Sequence, residues 1–423
     1  MSNSALTQDT RKPTYTNPLI AFLVSATISR LGNFLASLAI PWFVLATTGS
    51  ATNTALTVAI GTIPLIVTGV LGGTLVDRFG YWRTIVVSEI ASGISTLMIP
   101  ILHFTIGIEF WHVMAFAFLG ALLDSPGNTA RRSLYPKLVE HTSLSLDRAN
   151  AIYMITGRVA SLIGAPLAGI LIAYLGAPNL LFVTTTGFFL STLLFVAFIP
   201  GSINTDHVST ESSEPKQGYL EEIRSGFRFI YNDKVLFWMI LCSTLGSFLA
   251  EPIYGIILQV YVQEKYGSAE YLGYIFAGLA IGSLFGNFLF AGFSERLPRR
   301  GVIIFRFLVR ALAFVVFIFV PPWWAVALAI FIGAVALEPV NPLSQSIMQE
   351  RVPPGMRGKV FGVTSAINAS TFPVGIMIYG FLLDALGLET TLMIFVVVNF
   401  LVPIALIANP YLKQLNRQTA SAA

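Results

Sequence analysis

A single cysteine in 423 residues, Cys242, excludes an internal disulfide. The four histidines, His103, His112, His141 and His207, are scattered, so no Cys/His metal spacing exists. Charge is scarcer still: Asp, Glu, Lys and Arg supply 11% of the chain, where a soluble domain carries about 25%. Between Pro13 and Val76 the only charged residue is Arg30. No nucleophile–base pair, metal-ligand set or phosphate-binding glycine loop appears, so enzymatic chemistry, a metal and a cofactor are not expected. The net charge of +4 does not mark a nucleic-acid binder, because the basic residues fall in short loops. A removable signal peptide is not expected either: Met1–Asn17 is polar, and the apolar run from Pro18 is long enough to span.

What is abundant is apolar sequence, 55% of the chain at a mean hydropathy of +0.75. A spanning helix needs about 20 apolar residues. Twelve such runs are present: Pro18–Ala46, Thr54–Val76, Tyr81–Leu102, Phe110–Leu134, Asn150–Leu175, Asn179–Pro200, Val235–Val262, Tyr271–Ser294, Gly301–Pro321, Trp324–Gln349, Val360–Leu386 and Thr390–Tyr411. They are numbered here as spans 1 to 12. Lipid offers no partners to unpaired amides, so each must be helical, and the class is an all-α membrane protein. All but five of the 25 lysines and arginines lie in the N-terminal tail (1–17), in the loops after the even-numbered spans or the span ends that flank them, or in the C-terminal tail (412–423). The exceptions are Arg30, Arg158, Arg306 and Arg310 within spans and Lys265 in an opposite loop. That bias puts both termini on the cytoplasmic side of a cell membrane.

The longest polar stretch, 201–234, divides the chain into halves at 18–200 and 235–411. Within it Leu220, Ile223, Phe227 and Ile230 recur at helical steps among Glu221, Glu222, Arg224 and Arg228, which reads as an amphipathic helix at the membrane surface. The halves echo one another. Asp124-Ser-Pro126-Gly-Asn128 in span 4 matches Glu338-Pro339-Val-Asn341-Pro342 in span 10. Pro166 and Leu175-Gly176 of span 5 match Pro373 and Leu386-Gly387 of span 11.

Between spans 2 and 3 stands Gly73-x-Leu-x-Asp77-Arg78-x-Gly80-x-x-Arg83. This resembles the corresponding loop of the major facilitator superfamily of secondary transporters, and the resemblance extends over the whole chain. It implies two pseudo-symmetric six-helix bundles joined by a cytoplasmic linker. It also implies that Asp77, Arg78 and Arg83 latch the cytoplasmic side when the outer side is open; the plainer reading is a basic loop that sets topology. Gly157-x3-Ser161-x2-Gly164-Ala-Pro166-x2-Gly169 in span 5 resembles the motif of proton-driven exporters, departing from it at Ala165 and Ile170. The rival reading is ordinary close packing of small residues. Span 1, with Ser29-Arg30-Leu-Gly32-Asn33, and the exit of span 4 look like the twelve-helix drug:proton antiporter branch that includes macrolide efflux proteins.

Spans 1, 4, 7 and 10 line the central cavity in that superfamily, and each carries one charge near mid-bilayer: Arg30, Asp124, Glu251 and Glu338. Each lies about 12 to 16 residues into its span, the middle of a core about 30 Å thick. A charge there costs about 3 kcal/mol and must face a partner or a wet cavity. Asp124, Glu251 or Glu338 is therefore the expected proton carrier, with Arg30, Asn33, Asn128 and Asn341 as polar cavity residues. The rival is a fixed Arg30–Asp124 pair. The antiporter branch often has an acid where Asn33 stands, which shifts the proton site to the three carboxylates. Arg306 is expected to snorkel, Arg131 and Arg132 to meet lipid phosphate or the latch, and Glu89 to pair with one of these arginines. The whole reads as a monomeric, proton-coupled exporter of lipophilic small molecules. Rivals are a lipid or metabolite carrier, an uncoupled facilitator, and a non-transporting receptor or scaffold on the same fold.

Overall fold

The computed structural model describes residues 16–140, 142–201, 219–294 and 296–416; within these, the side chains of 16–17, 65–75, 77, 219–220 and 222 are outside the description. Spans 1 to 6 are single helices: Thr16–Thr48, Ala51–Phe79, Tyr81–Thr105, Phe110–Glu140, Leu146–Leu175 and Ala177–Phe198. Span 7 runs Lys234–Lys265 and is interrupted by a π-helical turn at Ile253–Ile257. Spans 8 and 9 are Ala269–Phe293 and Arg299–Ile318. Span 10, Trp323–Arg351, breaks at Glu338-Pro339. Spans 11 and 12 form one helical run, Arg357–Ala408, that folds back at Gly387.

Nine stretches among the described residues are long and apolar enough to cross a membrane. One of these holds spans 11 and 12 together, and spans 2 and 4 lie outside the nine. Span 4 carries Asp124, Arg131, Arg132 and Lys137, which lower its mean apolarity. Packed among the others, both complete a set of twelve in two bundles of six. Tight interspan turns rest on glycine: Gly80, Gly176 and Gly387 all have φ near +80°, a region costly for a residue with a β-carbon.

The linker helix, Tyr219–Asn232, lies on the C-terminal bundle. Gly226 seats against the Lys359 carbonyl and Val363 at the start of span 11. Asp233 caps span 7 by accepting from the Val235 and Leu236 amides, both at 3.0 Å, and also receives Arg351 Nε at 2.9 Å. One side of the molecule thus carries the linker and the ends of the first and last spans. It is called the linker face here, and the opposite side the far face.

The bundles meet along spans 2 and 11 and along spans 5 and 8, and the tightest approaches lie toward the far face. Gly169 of span 5 sits so close to Gly273 of span 8 that a β-carbon would strike backbone. A β-carbon on Gly380 of span 11 would strike Ala55 and the Ala51 carbonyl of span 2. At the same level the Asp384 carboxylate accepts from Ser50 Oγ (2.7 Å) and from the Ala51 and Thr52 amides (2.8 and 2.9 Å). A C-terminal-half carboxylate therefore caps the first turn of span 2, where free N–H groups and the helix dipole favour an anion. Toward the linker face, Ser133, Asn341, Gln345 and Ser365 are exposed on spans 4, 10 and 11. Polar side chains at that level of an apolar helix face water rather than lipid, so the molecule is closed at the far face and open toward the linker face.

Candidate functional site

Between the bundles lies a cavity of about 920 Å³, within the range of small-molecule sites. Its wall is largely aliphatic and aromatic, with Phe34, Phe116, Phe188, Phe276 and Phe372 among the lining residues. Asn33, Asp124, Glu251 and Glu338 also line it. Three of the four mid-span charges expected at one depth therefore share one chamber.

The local sequence explains how two of the acids are presented. Glu251 and Glu338 each immediately precede a proline, which cannot donate the backbone hydrogen bond a continuous helix needs. After Glu251-Pro252 the helix widens into the π turn, a feature frequent at functional sites, and this turn carries Tyr254 and Gly255 to the cavity wall. Gln259, one turn on, is buried and donates from Nε2 to the Gly255 carbonyl at 3.2 Å. Its Oε1 has no partner among the described residues, leaving a hydrogen-bond acceptor beside the cavity.

The partners of the acids are amides rather than cations. Asp124 accepts from Asn33 Nδ2 at 3.3 Å and from Asn128 Nδ2 at 2.7 Å. Glu338 accepts from Asn287 Nδ2 at 3.0 Å. Glu251 has no hydrogen-bond partner among the described residues. An amide can turn its oxygen toward a protonated carboxyl as readily as its N–H₂ toward a carboxylate. Each acid can thus gain a proton without breaking an ion pair. Arg158 is the one cation among the described lining residues.

Other expected positions differ. Arg30 does not line the cavity and does not pair with Asp124. It donates to the Tyr153 carbonyl (3.1 Å) and Thr156 Oγ1 (2.5 Å) of span 5 and lies 4.2 Å from the Tyr153 ring centroid. Asn128 reaches the chamber only through Asp124. Asn341 lines a separate pocket of about 240 Å³ with Ser243, Gln345 and Asn368. Arg306 does not snorkel: it is buried and donates to the Cys242 carbonyl, and its neighbour Arg310 donates to Asn399 Oδ1 at 2.6 Å and the Gly246 carbonyl at 3.0 Å. Arg131 does not face lipid; it is buried with Glu89 at 2.6 Å. Arg158 faces the chamber.

The span 5 motif is distributed along two seams. Gly157 makes room for Arg30, Gly164 for Phe34, and Gly169 for Gly273; Ser161 lines the cavity, and the Pro166 carbonyl lies over Gly273. In span 8, Gly278, Gly282 and Gly286 bring the helix against the span 10 backbone at Ala327, Phe331 and Val335. Of the latch residues, Arg78 and Arg83 are exposed at the linker face and Gly80 makes the turn. The side chains of Gly73 and Asp77 lie outside the described residues. Sequence reading missed Asn287, Tyr254, Gln259 and Asp384. An asparagine or glutamine inside an apolar run was the available signal for two of them.

The profile of the transmembrane secretion effector family matches residues 13–422. The multidrug efflux pump Tap of Mycolicibacterium fortuitum is 28% identical over 404 residues, 94% of this chain and 97% of the pump. Macrolide efflux protein A of Streptococcus pyogenes is 20% identical over 385 residues, 86% of this chain and 88% of that protein. The crystal structure of the nucleoside transporter NupG superposes with a TM-score of 0.72 at 11% identity, covering 93% of this chain and 99% of that one. At that identity the likeness speaks for the fold alone.

Proposed function

We propose that this chain, which belongs to the transmembrane secretion effector family of the major facilitator superfamily, is a proton-coupled exporter of lipophilic small molecules. The observation that carries the reading is the chamber itself: Asp124, Glu251 and Glu338 line one largely apolar cavity between the bundles, and among the described residues none is neutralised by a bound arginine or lysine. The aromatic wall suits a hydrophobic substrate. The carboxylates and the free Gln259 oxygen suit a cationic or N–H-bearing group on it. The efflux relatives favour export.

In this reading the linker face is cytoplasmic and the present conformation is the one that loads substrate. Substrate entering from that side displaces protons from the cavity acids. The bundles then rock so that the far face opens, protons from outside reload the carboxylates, and substrate leaves. Ionised acids attract a cationic substrate and protonated ones release it, so proton entry and substrate exit are linked. With the far face open, the Asp77, Arg78 and Arg83 cluster would close the linker face. One chain holds the whole chamber, so a monomer suffices.

The test is substrate-stimulated proton flux in liposomes across a panel of lipophilic amines and neutral macrocycles. At least one compound should move uphill against its own gradient when a proton gradient is imposed, and should dissipate that proton gradient as it moves. Counterflow of the same compounds with no proton movement would replace this reading with an uncoupled facilitator.

A further inference from the structure

Away from the chamber, in the linker-side half of the N-terminal bundle, lies a buried polar cluster that the export cycle above does not use. Glu89 of span 3 and Arg131 of span 4 are each 3% exposed. Glu89 Oε1 accepts from Arg131 Nη2 and from Ser29 Oγ, both at 2.6 Å. Arg131 also donates to Ser25 Oγ at 3.3 Å and Ser191 Oγ at 3.2 Å. The second carboxylate oxygen, Glu89 Oε2, is buried with no hydrogen-bond partner among the described residues.

That asymmetry is informative. A pair built only for stability would saturate both oxygens, since an unsatisfied buried acceptor is costly. Here one oxygen holds every bond and the other is bare. A proton added to Oε2 would break no existing contact.

The cluster is joined to the chamber by two facing polar stripes. Asp124, Asn128 and Arg131 stand at i, i+4 and i+7 on span 4, one face of that helix. Ser25, Ser29 and Asn33 stand at i, i+4 and i+8 on span 1. The stripes are bridged at the chamber end by Asn33 to Asp124, and at the other end through Glu89, which accepts from both Ser29 and Arg131. Asp124 also lies within electrostatic reach of both Glu89 and Arg131.

We infer that Glu89 is a second proton site, exchanging its proton with Asp124 along this file. This rests on the reading of the cavity acids as proton carriers and extends it. The step is a proton transfer alone. Asp124 gives up its carboxyl proton and becomes a carboxylate; Glu89 Oε2 gains the proton and becomes neutral. Arg131, its cationic charge no longer matched by Glu89, then favours the newly ionised Asp124. One arginine between two acids makes the pair behave as a see-saw holding one proton. The separation along span 4 from Asp124 to Arg131 is about 10 Å, so the transfer runs past Asn128 through water admitted from the open linker side.

Among the described residues no other ionisable group competes at this level. Arg30, the only charge on span 1, is engaged with span 5. Span 6 has no ionisable residue, and those of span 2, Asp77 and Arg78, stand at its linker-face end.

The test is Glu89→Gln, which keeps the Oε1 acceptor and the shape but cannot take a proton. In liposomes it should slow proton-driven export at least tenfold, slow substrate counterflow far less, and flatten or displace the pH profile of export. Glu89→Asp should restore part of the pH response. If Glu89→Gln gives the wild-type proton flux and pH profile, the inference is overturned. Should that variant fail to fold, the Glu89→Gln/Arg131→Met pair removes the buried charge imbalance, and a wild-type pH profile in that protein overturns it equally. A wild type without substrate-stimulated proton flux would instead overturn the parent reading. Export lost in Asp124→Asn but intact in Glu89→Gln would overturn only this extension.

Discussion

Gly169→Leu is expected to hold the far face open and to slow export at least tenfold. At this position a β-carbon alone would meet the Gly273 backbone and the Ala269 carbonyl of span 8, in the other bundle. Backbone cannot swing aside as a side chain can, so the strain falls on the seam between the halves. Overpacking of this kind costs about 1–3 kcal/mol, which displaces a two-state equilibrium roughly 5- to 150-fold. The displaced state is the one closed at the far face, because that is where spans 5 and 8 touch most closely. Asp384→Asn should move the equilibrium the same way by less, since it weakens the cap on span 2 without adding bulk. The measurement is the distance between spin labels at Thr48→Cys and Ala385→Cys, in a Cys242→Ser background that removes the single native thiol. A distribution shifted to longer distances in Gly169→Leu, with slowed export, is the expected outcome. An unchanged distribution would mean that this seam does not set the far-face closure.

Arg131→Leu should destabilise the protein by about 3–5 kcal/mol, because it strands a buried carboxylate. Glu89 would keep Ser29 as its only hydrogen-bond donor among the described residues. Folded yield in detergent and the apparent thermal midpoint should both drop. Glu89→Leu/Arg131→Leu should recover most of the loss, because removing both charges leaves nothing uncompensated, and replacing a buried pair by apolar residues is often neutral or better. The recovered double variant should still be deficient in export if Glu89 takes part in proton movement. A single Arg131→Leu variant as stable as wild type would show that the pair is not effectively buried.

The chamber was legible in the sequence because lipid makes polar residues conspicuous. Asp124, Glu251 and Glu338 stand alone in long apolar runs, and each has a proline within two residues. Both features point to a helix disturbed beside a wet cavity. Arg30 shared the depth but not the direction. It sits one turn from Asn33 and about 60° around the helix, and its long side chain crosses to span 5 where Gly157 leaves space. The glycine was visible; the fact that its space belongs to an arginine was not.

Arg306 failed for a related reason. Its distance from the span end suggested snorkelling, but Gly246 opens a slot beside it and the Cys242 carbonyl receives it. Backbone carbonyl partners leave no trace in residue identity. Glu89 was expected to find an arginine, and the choice of Arg131 required the packing of spans 3 and 4 to be known. The far-face closure was the least visible part. Asp384 lies near a span end, where a carboxylate is unremarked, and its partners are mostly the amides of another helix's first turn.

The most direct measurement is export by the triple variant Asp124→Asn/Glu251→Gln/Glu338→Gln in liposomes carrying a proton gradient, with counterflow measured in parallel. If the chamber's carboxylates carry the protons, uphill export and substrate-stimulated proton flux should both vanish while substrate still exchanges down its own gradient. Uphill export persisting at the wild-type rate with all three acids neutralised would contradict proton coupling through this chamber.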